Sequence, residues 1–244
     1  FPSVGAVRES GTAVIIEDVA FPIEHLAEAT LDLHDCFQRH HYYEAIIFGH
    51  ALEGNLHFVF TQDFSVEAEV QRYKEFMENI TNLVTQRYDG SLKAEHGTGR
   101  NMAPFVQKEW GEEAWQIMHR LKNIIDPSGI LNPDVILGTD EKLHLRNLKA
   151  MPSTHKIIDT CIECGFCEPN CPSRNLSFTP RQRIAVWREL SRLETEQNDL
   201  NRLAAFRKVY EYYGKNTCAT DGMCAVDCPV DINTGSFIKD LRRQ

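Results

Sequence analysis

The sequence has no hydrophobic run as long as a membrane span and no recognisable secretion signal. It also lacks an excess of basic residues, because 26 Lys and Arg stand against 35 Asp and Glu, for a net charge of −9. This acidic balance argues against a nucleic-acid partner. A G-x-G-x-x-G fingerprint is absent as well, so a Rossmann-type dinucleotide site is not expected. The 244 residues, 42% of them hydrophobic, are enough for one large domain or two small ones.

Seven of the 8 cysteines lie in two short runs near the end of the chain. The first run, from Cys161 to Pro172, has the spacing C-x2-C-x2-C-x3-C-P that is typical of two-cluster ferredoxins. In that motif the first three thiolates bind one iron–sulfur cluster and the fourth binds the other. The predicted ligands of cluster one are Cys161, Cys164, Cys167 and Cys228, and those of cluster two are Cys171, Cys218 and Cys224.

The second run, from Cys218 to Pro229, has Asp221 where the motif expects its second cysteine. Cluster two is therefore either a three-iron cluster with an empty corner or a four-iron cluster with an oxygen ligand at Asp221. Zinc ribbons usually pair two C-x2-C units without the C-x3-C-P ending, and disulfides would suit a small secreted domain. The iron–sulfur interpretation fits better than either.

The remaining cysteine, Cys36, is expected to pack as a small apolar residue. Thiols that are kept for metal clusters need a reducing compartment. We therefore expect a cytoplasmic protein, with the periphery of the inner membrane face as a further location.

The first half of the chain predicts an α+β domain. Segments rich in apolar and β-branched residues predict four strands, at residues 14–20, 45–49, 56–60 and 91–95. Pro22 opens a helix that continues to Phe37, and a second helix is predicted over residues 66–87. The order β-α-β-β-α-β is the ferredoxin-like arrangement, which predicts an antiparallel sheet with two helices on one face.

The second half predicts a linker and a helical cluster domain. A helix over residues 110–125 ends at Asp126-Pro127, and residues 139–155 have little apolar periodicity. The predicted domains are therefore residues 1–138, a linker at 139–155, and residues 156–244. Helical stretches at about 180–193 and 200–213 separate the cysteine runs, which favours an all-helical ferredoxin module. The basic residues Arg181, Arg183 and Arg188 could contact an electron-transfer partner, but a solvated helix face is the favoured expectation.

A hairpin with two histidines is the other strong signal. If its turn is centred on Glu53 and Gly54, His50 and His57 face each other across the strands, close enough to share a metal ion. Glu95, at the end of the last predicted strand, is the candidate third ligand. The same spacing also fits a pair of ordinary strand histidines that bind no metal. The residues alone leave both alternatives open.

Next to the candidate metal ligand, His96 opens a glycine loop. A metal bound at Glu95 would favour a neutral His96 imidazole that can accept a proton; the alternative is a structural hydrogen bond in the loop. Arg100 and Arg8 could each bind a carboxylate or a phosphate, or pair with a structural acid.

Four motifs together resemble a known family. They are His50-x6-His57 around Gly54-Asn55-Leu56, Glu95-His96-Gly97-Thr98-Gly99, Asp126-Pro127, and Leu131-Asn132-Pro133. Residues 1–138 thus resemble the C-terminal cap domain of FAD-linked oxidases of the vanillyl-alcohol-oxidase type. The fusion to a two-cluster domain resembles the D-lactate and D-2-hydroxyacid dehydrogenases that contain FAD and iron–sulfur clusters. D-2-hydroxyglutarate dehydrogenases and glycolate oxidase subunits are similar relatives.

The resemblance implies roles for individual residues. It implies His50, His57 and Glu95 as ligands of a divalent metal, usually zinc, and His96 as proton acceptor. Arg8 and Thr12 resemble the family's contact with the substrate carboxylate, although that local match is weaker.

The resemblance also implies a reaction. Hydride would pass from a 2-hydroxy acid to FAD, which is bound by a domain expected before residue 1 and absent from this chain. Single electrons would then pass through the clusters to a quinone, a cytochrome or another protein. A non-catalytic electron-transfer subunit is the rival hypothesis, and a metal-dependent hydrolase fused to a ferredoxin is a weaker third.

Overall fold

The computed structural model describes residues 7–244, which form two compact units. We call residues 15–149 the sheet unit, and residues 150–244 with the described part of residues 1–14 the cluster unit. The strands and longer helices are β1 Ala13–Ala20, α1 Leu26–Arg39, β2 Ile46–His50, β3 Asn55–Gln62, α2 Glu67–Asn82, α3 Val106–Ile125, α4 Pro180–Glu196, α5 Leu200–Val209 and α6 Thr234–Arg243. Short 3-10 turns lie at Ile23–His25, Ala51–Glu53, Ala103–Phe105, Leu143–Leu145 and Met223–Ala225, and π-helical segments at Leu83–Arg87 and Tyr210–Asn216.

The predicted α+β class is confirmed, but the sheet has three strands in the described residues, in the order β1-β3-β2. The prediction of a fourth strand at residues 91–95 was wrong. This segment forms a single antiparallel bridge, between Ser91 and Ala20, and no longer ladder. The cause lies in β1. The buried Asp18 carboxylate accepts hydrogen bonds from the backbone N–H groups of residues 94, 95 and 96. Those groups are therefore not free to extend a strand ladder.

The hairpin register differs from the prediction by two residues. His57 pairs with Phe48, and His50 pairs with Asn55 rather than with His57. The reason is the 3-10 turn Ala51–Glu53, which lengthens the loop between the strands. Because side chains alternate with a period of two, this shift leaves both histidines on the same face of the sheet, as diagonal neighbours.

The position of the hairpin turn is fixed by Gly54. Its φ of 67° lies in the left-handed region that favours glycine, and a Cβ there would lie 2.1 Å from the Phe21 carbonyl oxygen. The Phe21 N–H donates to the Gly54 carbonyl over 2.9 Å. The turn therefore rests directly on the end of β1, and no larger residue fits.

An aromatic core supports this sheet. All of β3 is buried, and the rings of Phe37, Phe58, Phe60 and Phe76 pack with centroid separations of 5.0 to 6.4 Å. Cys36 is 1% exposed within the same core, and burial raises the pKa of its thiol to about 11. This agrees with the expectation that Cys36 packs as a small apolar residue.

The segments after the sheet are more ordered than the sequence indicated. Helix α3 begins at Val106, four residues before the prediction, and Gly111 interrupts it with a φ of 76°. The first part of the expected linker contains the 3-10 turn Leu143–Leu145, in which Leu143 and His144 are buried. No helix among the described residues is long and apolar enough to cross a membrane.

The cluster unit is helical, as predicted. Helix α4 begins with a capping box formed by Thr179 and Gln182, with Pro180 in its first turn. Helix α6 was not predicted; the Asn233 side chain caps its start by accepting from the Ser236 N–H. The apolar core joins α4 and α6 with residues from the start of the unit, and its fully buried members include Ile158, Phe237 and Ile238.

Candidate metal and iron–sulfur sites

Three side chains of the sheet unit converge on one point. Glu95 Oε1 lies 2.9 Å from His57 Nε2 and 3.5 Å from His50 Nε2. His57 is buried at the start of β3, whereas His50 and Glu95 are exposed. The ligand atoms of all three lie within 4.8 Å of one another. The geometry thus brings together the three predicted metal ligands, and their role as ligands stays a prediction.

The donor set fits a divalent metal such as zinc. Ligand atoms about 2.1 Å from a tetrahedral ion lie roughly 3.4 Å apart, close to the separations observed from Glu95. Two imidazoles and one carboxylate leave coordination positions open for a substrate. His57 Nδ1 is buried without a hydrogen-bond partner in the described part of the chain, so the outer support usual for a ligating imidazole is missing on that side.

Asp18 holds the loop that carries Glu95 and His96. The Asp18 side chain is 0% exposed, and its Oδ2 atom accepts the Glu95 N–H over 2.7 Å. The Lys93 ammonium lies 3.2 Å from Oδ1. Burial acts to raise the pKa of Asp18, but the Glu95 backbone hydrogen bond and Lys93 outweigh it, so the pKa lies below its ordinary value. Asp18 is therefore a fixed negative charge beneath the loop.

Sequence reasoning missed Asp18. A signal was available, because Glu17 and Asp18 are consecutive acids inside a β-branched strand, where charged residues need partners. Glu17 is also buried, and it pairs with Lys93 and with the Asn101 amide. The two acids thus share one partly buried cation, Lys93, and anchor both ends of the glycine loop.

His96 stands beside the candidate metal ligands. Its ring stacks on that of His57 with centroids 4.8 Å apart. Nδ1 lies 3.6 Å from Asp18 Oδ1, and Nε2 lies 3.6 Å from Glu95 Oε1. One ring nitrogen therefore faces the buried carboxylate and the other faces the point where the three ligands converge.

The three predicted substrate contacts have different surroundings. Arg100 is half-buried, and no residue from 7 to 244 forms a hydrogen bond or ion pair with its side chain. Arg8 is buried in the cluster unit, where its Nη2 donates to the carbonyls of Asp159 and Cys161 over 2.6 and 3.0 Å. The Thr12 hydroxyl donates to the Glu9 carbonyl over 2.8 Å. Within residues 7–244 no partner occupies Arg100, so it is available to bind an anion, whereas Arg8 is already bound to backbone carbonyls.

In the cluster unit, the predicted ligands of cluster one surround one cavity. It is lined by Cys161, Cys164, Cys167 and Cys228. The Cys161 sulfur accepts the Glu163 N–H over 3.4 Å, and the Cys228 sulfur accepts the Ile232 N–H over 3.2 Å. Burial raises the pKa of Cys167 to about 12, so that thiol loses its proton only when a cation replaces it. Four convergent sulfurs fit a four-iron cluster.

The predicted ligands of cluster two surround a separate cavity of the same unit. It is lined by Cys171, Cys218 and Cys224 together with Asp221. Asp221 is exposed and also borders a wider depression, which contains Arg174 and Asn175. Three sulfurs and one carboxylate fit either a three-iron cluster or a four-iron cluster with one oxygen ligand.

The expectation of a solvated arginine face on α4 was wrong for Arg183 and Arg188. Arg183 is 0% exposed and Arg188 is 3% exposed. Both lie on the apolar stripe of α4, next to the buried Ile184, and this position was the available sequence signal. Only Arg181 is partly exposed, and it pairs with Glu168 over 2.7 Å.

The buried guanidinium groups hold the cluster loops. Arg188 Nη2 donates to the carbonyls of Ile158 and Cys161, each over 3.1 Å, and Nη1 pairs with Glu163 over 2.8 Å. The Cys161 carbonyl also accepts from Arg8. Burial and the neighbouring Arg188 lower the pKa of Arg8. The loop that presents Cys161, the first predicted ligand, is thus fixed by charge-assisted hydrogen bonds.

The sheet unit with its candidate metal site and the helical cluster unit with its two cysteine-lined cavities are the two parts of the chain that the comparisons with known proteins match. Residues 1–136 match the family described as FAD linked oxidases, C-terminal domain, and residues 157–232 match the 4Fe-4S dicluster domain. Because the first match covers more than half of the sequence, the chain belongs to the FAD-linked oxidase family. The resemblance stated from the motifs is confirmed.

Curated relatives agree with this family. The chain is 26% identical to D-2-hydroxyglutarate dehydrogenase of Haemophilus influenzae, over 91% of this chain and 26% of the relative. It is 32% identical to the mitochondrial D-lactate dehydrogenase [cytochrome] of Arabidopsis thaliana, over 52% of this chain and 22% of the relative. The glycolate oxidase subunit GlcD of Bacillus subtilis is 28% identical over 57% of this chain and 29% of the relative. In these alignments the chain spans about a quarter of each relative.

Proposed function

We propose that this chain is the substrate-binding and cluster-binding part of an FAD-linked D-2-hydroxyacid dehydrogenase. The observation that carries the proposal is the convergence of His50, His57 and Glu95 beside His96, in a chain of the FAD-linked oxidase family. A pure electron carrier has no use for such a constellation. D-lactate is the proposed type of substrate, and the names of the relatives add D-2-hydroxyglutarate and glycolate as alternatives.

His50, His57 and Glu95 would hold the metal. When bound, a divalent ion, with zinc expected, supplies a Lewis acid for the substrate's oxygen atoms, FAD supplies the hydride acceptor, and the clusters supply one-electron carriers. Cluster one is assigned to the cavity with four cysteines and cluster two to the cavity that contains Asp221.

His96 would accept the hydroxyl proton of the substrate. Asp18 lies on the Nδ1 side of the ring, and Nε2, on the side of the candidate metal ligands, would be the acceptor atom. Arg100, half-buried and without a protein partner in residues 7–244, is available to bind the substrate carboxylate.

The first test is elemental analysis of the anaerobically purified 244-residue chain. About seven or eight irons per chain are expected for the two clusters. One further equivalent of zinc or another divalent metal should disappear in a His50→Ala/His57→Ala chain and persist in a His25→Ala/His34→Ala control. Iron alone, unchanged by the hairpin substitutions, would favour the non-catalytic electron carrier.

The second test concerns His96 in the complete enzyme that includes the FAD-binding part. His96→Ala should lower turnover with the D-2-hydroxy acid by about 10²- to 10⁴-fold while leaving the metal in place. His34→Ala, on the exposed face of α1, serves as the control. Wild-type turnover in His96→Ala would rule out the proton-acceptor role.

A further inference from the structure

Arg183 is a fully buried cation without a carboxylate partner. Its side chain on α4 is 0% exposed, and no carboxylate in residues 7–244 lies within ion-pair distance of its guanidinium group. Arg188, five residues further along the same helix, is neutralised by Glu163. A buried charge without a counter-charge is strongly destabilising. Arg183 therefore requires a negative partner that the side chains around it do not supply.

The guanidinium group of Arg183 faces the second cluster cavity. Arg183 lines that cavity together with Cys171, Cys218 and Cys224. Its Nη1 atom lies 3.8 Å from the Cys171 sulfur, within hydrogen-bonding distance of a sulfur acceptor. An iron–sulfur cluster carried by three thiolates is the negative partner that this position can accommodate.

Arg183 also connects the two loops that supply those thiolates. Nη2 donates to Ser173 Oγ over 3.0 Å and to Thr217 Oγ1 over 3.2 Å, and Nε donates to the Gly214 carbonyl over 2.8 Å. Ser173 follows the ligand Cys171, and Thr217 precedes the ligand Cys218. Gly214 belongs to the π-helical segment Tyr210–Asn216, a kind of helix that is frequent at functional sites.

We propose that Arg183 is the counter-ion of the second cluster and raises its reduction potential. The inference rests on the proposed cluster ligation by Cys171, Cys218 and Cys224. Reduction of a cluster bound there would add one electron, supplied by the reduced flavin or the first cluster, would move no proton, and would make the cluster more negative by one charge. A fixed cation and an N–H···S hydrogen bond stabilise that more negative state. Arg183 thus acts as a positioning and electrostatic residue for electron transfer.

The test is a redox titration of the anaerobically purified full chain, followed by electron paramagnetic resonance. The signal of cluster two is the one that a Cys224→Ala chain loses. Arg183→Gln should lower the potential of that signal by at least 59 mV, a tenfold change in the one-electron equilibrium constant. Arg183→Lys, which keeps the charge, should shift it by less than half as much. Arg192→Gln, on the same helix, should leave it unchanged.

Several outcomes would overturn the proposal. It fails if Arg183→Gln retains full iron and an unchanged cluster-two potential, or if the Gln and Lys variants shift the potential equally. If Arg183→Gln loses cluster two while Arg183→Lys retains it, the need for a positive charge is supported; loss in both counts against it. Absence of any cluster signal in the wild-type chain would instead refute the iron–sulfur assignment itself, so the two failures are distinguishable.

Discussion

In the sheet unit a buried carboxylate organises the loop that presents the candidate ligands, whereas in the cluster unit buried guanidinium groups do so. Asp18 collects the N–H groups of residues 94 to 96, and Arg188 collects the carbonyls of residues 158, 159 and 161. Irregular loops leave backbone groups unpaired, and one buried charge can satisfy several of them. The sign of the charge follows from which backbone groups turn inward.

The two units differ in how the buried charges that hold these loops are neutralised. Asp18 and Glu17 share Lys93, so the sheet unit buries two acids around one base. Arg188 has Glu163 as its carboxylate partner, whereas Arg183 has none in the described residues. Lys93 therefore offsets part of the buried negative charge in the sheet unit, whereas the buried cation Arg183 beside the second cysteine-lined cavity has no carboxylate within ion-pair distance in residues 7–244.

The largest expected effect comes from removing Arg188. Arg188→Ala removes the ion pair with Glu163 and hydrogen bonds to three loop carbonyls, two of which also accept from Arg8, and should destabilise the cluster unit by about 3–5 kcal/mol. Arg192→Ala, a partly exposed arginine of the same helix, should cost no more than about 1 kcal/mol. Hydrogen exchange of residues 157–164 in the cluster-loaded chain measures the difference. Equal protection in both variants would show that Arg188 does not hold the loop.

A smaller effect is expected for Asp18→Asn, which keeps the shape but loses the charge that binds three N–H groups and Lys93. The free energy of unfolding should fall by about 1.5–3 kcal/mol, the range for hydrogen bonds to a charged group. Urea unfolding compared with Asp35→Asn, an exposed helix acid, measures it. Metal affinity at the hairpin should fall in parallel, because the Glu95 loop loosens. An unchanged metal affinity would mean that the loop is held by other contacts.

Acid should distinguish the two units. His144 is buried beside Phe105 in the sheet unit, and burial and Lys74 lower its pKa to about 4 from the ordinary 6.5. The folded form keeps the His144 ring neutral. Its contribution to the free energy of unfolding is therefore fully present above pH 6.5 and is lost as pH falls towards 4, because the unfolded chain binds the proton more readily.

Between pH 6.5 and pH 5 the free energy of unfolding is expected to fall by about 2 kcal/mol through His144. His144→Leu should flatten this dependence, and His34→Leu, an exposed histidine of α1, should not. The measurement is hydrogen exchange of the core segment 56–62 at several pH values, corrected for the intrinsic rate. A wild-type slope that persists in His144→Leu would assign the acid sensitivity to other groups.

The sequence predicted which candidate ligands come together better than it predicted the backbone structure that carries them. The cysteine spacing and the His50, His57 and Glu95 set were visible because metal ligation depends on residue type and spacing, and the structure gathers each set. The hairpin register was wrong because a 3-10 turn cannot be told from a tight turn by the Glu53-Gly54 pair alone. The fourth strand failed because the Asp18 carboxylate competes for its backbone groups, a long-range effect that local propensity does not contain.

The buried arginines were missed for a related reason. A charged residue on a helix is usually solvated, so Arg183 and Arg188 were assigned to the surface although they lie on the apolar stripe. Only the folded loops around them reveal the carbonyls, hydroxyls and sulfur that they contact. Charged residues at apolar positions of a helix are thus worth examining as supports for neighbouring ligands.

The Asp18 contact also bears on when the metal site can form. Its carboxylate bonds to backbone groups 76 to 78 positions further along the chain. Closing so long a loop costs entropy that local contacts must first offset, and contacts of this kind form slowly. During synthesis the hairpin histidines emerge well before Glu95, so the third ligand arrives last. A metal at the proposed site would then bind a nearly finished domain, stabilising the folded state without guiding the early steps of folding.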